Sequence, residues 1–229
     1  MCRTNRLLTL PAKHVQKKSR FLRFDLFIKV LKLKQKPAFS YLASGTTSTS
    51  NKTSKAKAFS SGPLETKVVG TKILKKGLKL CEDWDLSIDL KLPNQSNLIW
   101  RNFFGLQVEG TADQKPGSRV PAVFIQQDKA EVSYTPFGTE SNHVFNFPTF
   151  IKFNTGSWIN LKISQNNKAY EIKFDDKLVH TEMNSSPQVW SNVKVVIGNT
   201  YGNYLTALGE YRNFEIYSCS PGKTTRSLW

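Results

Sequence analysis

Apolar and polar residues alternate with a period of two along Ile159–Asn160–Leu161–Lys162–Ile163, along Tyr170–Glu171–Ile172–Lys173–Phe174, and along Lys177–Leu178–Val179–His180. Successive side chains of an extended strand point to opposite faces, so this rhythm buries one face and leaves the other in water. Asp175–Asp176 lies between two of these runs, where short polar side chains tolerate the left-handed backbone of a tight hairpin. Similar runs recur from Trp84 to Tyr217, each break carries turn residues, and no helical period intervenes. The pattern predicts an all-β chain folded as a sandwich of two antiparallel sheets. Strands are expected near 84–92, 99–109, 121–126, 130–135, 144–153, 157–165, 168–174, 177–183, 192–198 and 208–218. In the second of these, Trp100, Asn102, Phe104, Leu106 and Val108 share one face.

Charge divides the chain. Residues 1–80 hold 19 Lys and Arg against Asp25 and Glu65, a balance of +17, and the remaining 14 bases and 15 acids give −1. The basic excess therefore sits in the N-terminal third and gives no ground for a nucleic-acid partner of the sandwich. Within residues 1–43, Phe24, Phe27, Ile28 and Leu31 fall at helical spacing among Arg23, Lys29, Lys32 and Lys34. This leader reads as transit-like, or as a basic amphipathic helix suited to an anionic membrane, or as a disordered or wrongly assigned leader. Asp25, Lys29 and Lys32 make it a poor secretory signal. Residues 44–67 are rich in Ser, Thr and Lys and read as a flexible linker. The sandwich is expected over 68–220, followed by a tail at 221–229. Residues 72–80 carry lysines that suit an edge strand.

Cys81 opens the first strong strand and Cys219 closes the last, and by strand parity both point outward. Terminal strands of two-sheet folds are often neighbours, so a disulfide between them is reasonable and would imply an oxidising compartment. Two unpaired thiols are the alternative. Asn51, Asn94 and Asn184 each open an N-glycosylation triplet.

The run Gly156–Ser157–Trp158–Ile159–Asn160–Leu161–Lys162–Ile163, the hairpin through Phe174–Asp175–Asp176–Lys177–Leu178–Val179, and Val193–Lys194–Val195–Val196–Ile197–Gly198 resemble the second half of laminin-G-like domains. These belong to the concanavalin A-like jelly-roll superfamily. Trp84–Leu90 is similar to their opening strand and Gly209–Ile216 to their last, while Asp176 replaces the usual hairpin Gly. The resemblance covers about residues 70–219. It implies a jelly roll that binds glycans or extracellular proteins, and it transfers no functional residue.

The superfamily also contains glycoside hydrolases, whose retaining members need two carboxylates about 5–5.5 Å apart. Asp83, Asp85 and Asp89 have suitable spacing, yet they alternate with core residues and are expected on a solvated face. His143 beside a turn and His180 on a strand lack a nucleophile partner, and no Gly-x-Ser-x-Gly elbow or phosphate loop occurs. No metal or cofactor is expected. Sugars present flat apolar faces rimmed by hydroxyls, so sites combine aromatic rings with a few orienting polar groups. Asn199, Tyr201, Asn203 and Tyr204 form the candidate loop, with Arg119 in a second loop at 110–119; the alternative is an ordinary loop packed on its own tyrosines. The expectation is a non-catalytic extracellular binding module. A degenerate hydrolase-like jelly roll, or membrane or nucleic-acid association through the basic segment, are the alternatives.

Overall fold

The computed structural model describes residues 55–135, 143–166 and 168–219; the leader at 1–43, most of the turn after Thr135 and the tail lie outside them. Fourteen strands follow in order: β1 Lys55–Ser60, β2 Thr66–Lys67, β3 Lys72–Leu80, β4 Trp84–Lys91, β5 Arg101–Val108, β6 Ala122–Gln126 and β7 Lys129–Tyr134, then β8 His143–Asn146, β9 Ile159–Asn166, β10 Ala169–Phe174, β11 Lys177–Met183, β12 Trp190–Ile197, β13 Leu205–Thr206 and β14 Glu210–Cys219. They form two seven-stranded sheets and a jelly-roll sandwich. The first runs β1-β14-β4-β9-β10-β11 with β2 also on β14; the second runs β3-β12-β5-β6-β7-β8 with β13 also on β5. All pairings are antiparallel except that of β13 with β5. Among the described residues no helix is long and apolar enough to cross a membrane.

Alternation explains the core. Trp84, Leu86, Ile88 and Leu90 of β4, Leu161 and Ile163 of β9, and Tyr170, Ile172 and Phe174 of β10 are buried in one cluster, which Val193, Val195 and Ile197 of β12 meet from the other sheet. Asp85, Ser87 and Asp89 face outward as expected. Asp89 accepts hydrogen bonds from Asn160, Asn213 and Arg212. Burial alone would raise its carboxyl, but these three donors hold it below the ordinary value. At the β10–β11 hairpin Asp175 and Asp176 have φ of 47° and 65°, the two left-handed residues of a type I′ turn.

Four expectations change. Lys55–Ser60, placed in the linker, is a strand: it pairs with β14 along Lys55↔Cys219 to Ser60↔Glu215, and Phe59 packs edge-on against Phe214 at 5.5 Å. Order therefore starts before Val68, and the sandwich is not neutral. Between residues 55 and 80 it gains seven lysines against Glu65, so the span from 55 to the C terminus carries +5. The strand expected at 144–153 ends at Asn146, because Pro148 has no N–H to offer a ladder. Finally, β5 does not keep one face throughout. Its register against β6 shifts between Asn102 and Phe104. The inserted residue turns Trp100 and Asn102 to the outer face while Phe104, Leu106 and Val108 stay inward. The Asn102 amide holds this bulge by donating to the carbonyls of Phe104 and Val123, both at 3.1 Å. The edge position expected for β3 is observed.

Cys81 and Cys219 are joined by a disulfide with Cα atoms 5.7 Å apart, closing a separation of 138 residues. Beside it Ser218 Oγ accepts from the backbone N–H of Cys81 at 2.9 Å.

Candidate functional site on the outer face of the second sheet

Two loops fold back over the outer face of β5, β6 and β7. The 109–121 loop returns alongside the sheet, with Val108 N donating to Gly117 O and Val120 N to Leu106 O, both at 2.8 Å. Thr135 N then donates to Arg119 O at 2.9 Å. These bonds set Arg119 above the sheet, with its guanidinium 4.6 Å over the Phe124 ring and 5.3 Å from that of Tyr201. The same group donates to both oxygens of Asp113 at 2.9–3.1 Å, to Ser133 Oγ at 2.9 Å and to Tyr204 Oη at 3.1 Å. Burial lowers the guanidinium's affinity for its proton, but Asp113 more than offsets this and the group is held charged.

The second loop turns at Gly198, where φ is +84° and an added Cβ would stand 2.6 Å from Gly70 O; only glycine fits that backbone at that approach. Asn199 then organises the loop from within, accepting from Tyr201 N at 2.9 Å and donating to Tyr204 O. Tyr201 stacks on Phe124 with centroids 5.7 Å apart, and its hydroxyl donates to Ser118 O at 2.9 Å. That hydroxyl can lie so close to the sheet because Gly105 has no Cβ; one would meet it at 2.9 Å.

The structure thus brings Arg119 and the 199–204 loop together, but not as a set of ligand contacts. Arg119 is 5% exposed and Tyr201 8%; both are spent on each other's loops and form a floor beneath any bound molecule. Asn199 uses its amide inside its own loop. Of the five candidates, Asn203 is exposed and Tyr204 half-buried, so these two remain accessible. Four residues outside those five candidates complete the surface. Phe124 is the buried centre, with Tyr204 at 4.9 Å, and Trp100 packs half-buried beside it. Gln126 and Glu131 are half-buried on the neighbouring strands β6 and β7. Burial pushes the Glu131 carboxyl above its ordinary value, and the attraction of Arg119 only partly opposes this. A carboxylate kept in a poorly solvated place at a cost to stability is a mark of binding sites. Alternation on β6 and β7 could have flagged Phe124 and Glu131 as outward; the bulge concealed Trp100.

A second polar cluster closes the sandwich between β7–β8 and β11. Tyr134 Oη donates to Glu182 Oε2 at 2.6 Å, so the proton in its 2.8 Å contact with His180 must come from His180 Nε2. His143 Nδ1 lies 2.8 Å from Glu182 Oε1. Burial, then the bond to Glu182, raises the Tyr134 hydroxyl well above its usual pKa. His180, expected on a strand, is part of this latch between sheets. Among the described residues no group of three or more His, Cys, Asp or Glu could hold a metal ion.

Of the described glycosylation triplets, Asn94 is exposed. Asn184 is 1% exposed and donates to Gln165 Oε1 at 2.8 Å, so its amide has no path to a glycan in the folded chain.

No protein-family model matches this chain, and no curated protein matches it. Solved structures do. The receptor binding domain of botulinum neurotoxin D is 11% identical, with a TM-score of 0.45 over 70% of this chain and 45% of its own. The botulinum neurotoxin serotype D ligand binding domain in complex with N-acetylneuraminic acid is 11% identical, with a TM-score of 0.44 over 70% and 43%. The endo-β-1,4-glucuronan lyase from the fungus Trichoderma reesei is 12% identical, with a TM-score of 0.44 over 72% and 79%. The chain spans less than half the length of the neurotoxin structures it matches. The architecture of this chain rests on the strand pairing described above; similarities of this size do not single out laminin-G-like domains, and no ligand is carried over from them.

Proposed function

We propose that the sandwich is a non-catalytic binding module, laminin-G-like in role, that recognises a glycan on the outer face of its second sheet. Trp100 and Tyr204 offer rings to the apolar face of a sugar, while Asn203, Gln126 and Glu131 meet its hydroxyls. The observation that carries this reading is the prearranged floor of Arg119, Phe124 and Tyr201. It holds half-exposed aromatics and a desolvated carboxylate on one rigid surface. Asp113 is committed to Arg119, which leaves Glu131 without a free carboxylate partner, and so we assign no paired-carboxylate hydrolysis to this face. The disulfide supports an extracellular setting.

The test is a glycan array probed with the full chain, followed by titration of the strongest hit. Trp100→Ala is expected to weaken that binding by about ten-fold, the order of one lost ring–sugar contact of about 1.4 kcal/mol. Equal affinity of wild type and variant, or no glycan bound at all, would remove the assignment.

A further inference from the structure

One end of the sandwich is apolar in a way the other is not. At this end β3, β5, β9 and β14 begin, and the loops 61–71, 92–100, 147–158 and 198–209 converge. Hydrogen bonds tie the loops together: Val68 N donates to Gly209 O at 2.8 Å and Asn154 N to Leu92 O at 2.8 Å. Leu208 N donates to Gln95 Oε1 at 3.0 Å, and Thr71 Oγ1 to Asn199 O at 2.9 Å. Of the twelve large apolar side chains that stand exposed among the described residues, all but Val144, Met183 and Val189 lie at this end. Val69 is 90% exposed, Leu98 68% and Leu208 51%. Exposed apolar residues scattered singly need no explanation, but Leu64, Val69, Leu98, Ile99, Phe150 and Leu208 stand on the four loops of this one end, and apolar side chains gathered at one end mark an interaction surface.

Charge selects the partner. The acids here are largely occupied: Glu210 pairs with Lys91, Glu65 with Arg212 and Asp176 with Lys162. Lys67, Lys72 and Lys152 are exposed and have no acid within ion-pair distance among the described residues. A cavity of 340 Å³ opens between these loops, lined by Val68, Val69, Leu92 and Leu208 together with Lys67 and Lys91. We propose that this loop end docks on an anionic lipid bilayer, its apolar tips entering the interface and its free lysines meeting headgroup phosphates. The apolar side chains come from separate loops rather than from one groove, so a fluid, flat partner can accept them all without a matching shape. This surface adjoins the sheet face assigned to glycan and shares the 92–100 and 198–209 loops with it, but Val69, Leu98, Ile99 and Leu208 are not among the residues assigned to the sugar.

The test is cosedimentation of the full chain with vesicles of phosphatidylcholine alone or with phosphatidylserine. Using the whole chain keeps the basic segment at 1–43 constant, and salt separates the contributions. Attraction through lysines is screened at about 0.5 M NaCl, while inserted side chains still hold. Wild type is expected to bind phosphatidylserine vesicles and to retain part of that binding in high salt. The variant V69S/L98S/I99S/L208S, whose four positions are all exposed, is expected to keep its unfolding midpoint and to lose the salt-resistant binding about ten-fold or more. M183S/V189S, away from this end, is expected to bind as wild type does. Three results would overturn the proposal: no vesicle binding, equal salt-resistant binding by the quadruple variant, or equal loss in M183S/V189S. Concentration-dependent self-association that the quadruple variant abolishes, without vesicle binding, would assign the surface to a second copy instead.

Discussion

Replacing Cys81 and Cys219 together with serine is expected to lower the unfolding free energy by 2–5 kcal/mol, the range typical of native disulfides. The bridge spans 138 residues, and closing a loop of that length removes about 5 kcal/mol of chain entropy from the unfolded state in the simplest treatment. It also acts locally. Cys219 lies opposite Lys55 in the β1–β14 pairing, and Cys81 precedes β4, so the bridge ties the end of β3 to the strand that joins β1 to β4. Urea unfolding with and without reductant checks this: wild type should fall to the level of the serine variant when reduced, and the variant should not respond. Coincident curves for oxidised and reduced wild type would show that the bridge does not constrain the unfolded chain.

Arg119→Ala should cost about 3–5 kcal/mol, because breaking a buried ion pair leaves its partner charged in a poorly solvated place. Asp113 has only 14% of its side chain exposed, and Ser133 and Tyr204 would lose a donor as well. Lysine should rescue little, since one ammonium cannot fork to both carboxylate oxygens while stacking on Phe124. Removing both charges in R119M/D113N should recover a large part of the loss. Denaturant midpoints for the three variants check this. A loss below about 1 kcal/mol in Arg119→Ala would mean the knot does not fasten the two loops.

The contrast between what could and could not be read from residue order has physical causes. Period-two alternation named the inward residues of β4, β9, β10 and β12, since any strand buried on one face must follow it. Asp175–Asp176 could be read as a hairpin because few residue pairs accept two positive φ values. Composition misled at β1: a Ser/Thr/Lys-rich setting suggested a linker, although Lys55–Ala56–Lys57–Ala58–Phe59 already alternates. The β5 bulge has no composition of its own, so one extra residue moved Trp100 to the outer face unseen. Long-range pairing was equally silent. Arg119 and Tyr204 are 85 residues apart, and nothing local says that an arginine is consumed by the aromatics it was expected to work beside. The triplet at Asn184 likewise reads the same whether the amide is exposed or buried.

Glu131→Gln separates a ligand-binding carboxylate from a structural one, because the two roles differ in the sign of the effects of its loss. Burial raises the folded-state pKa of Glu131, so its ionised form costs stability above that pKa and the cost is absent when the carboxyl is protonated in both states. The variant should therefore be more stable than wild type at neutral pH by less than about 1 kcal/mol, given its partial exposure, and the gain should vanish near pH 4. Glycan affinity, measured on the same preparation at neutral pH, should fall about five-fold through loss of a charge-assisted hydrogen bond. Greater stability with weaker binding is the result this account predicts. Unchanged affinity, or a variant less stable at neutral pH, would contradict it.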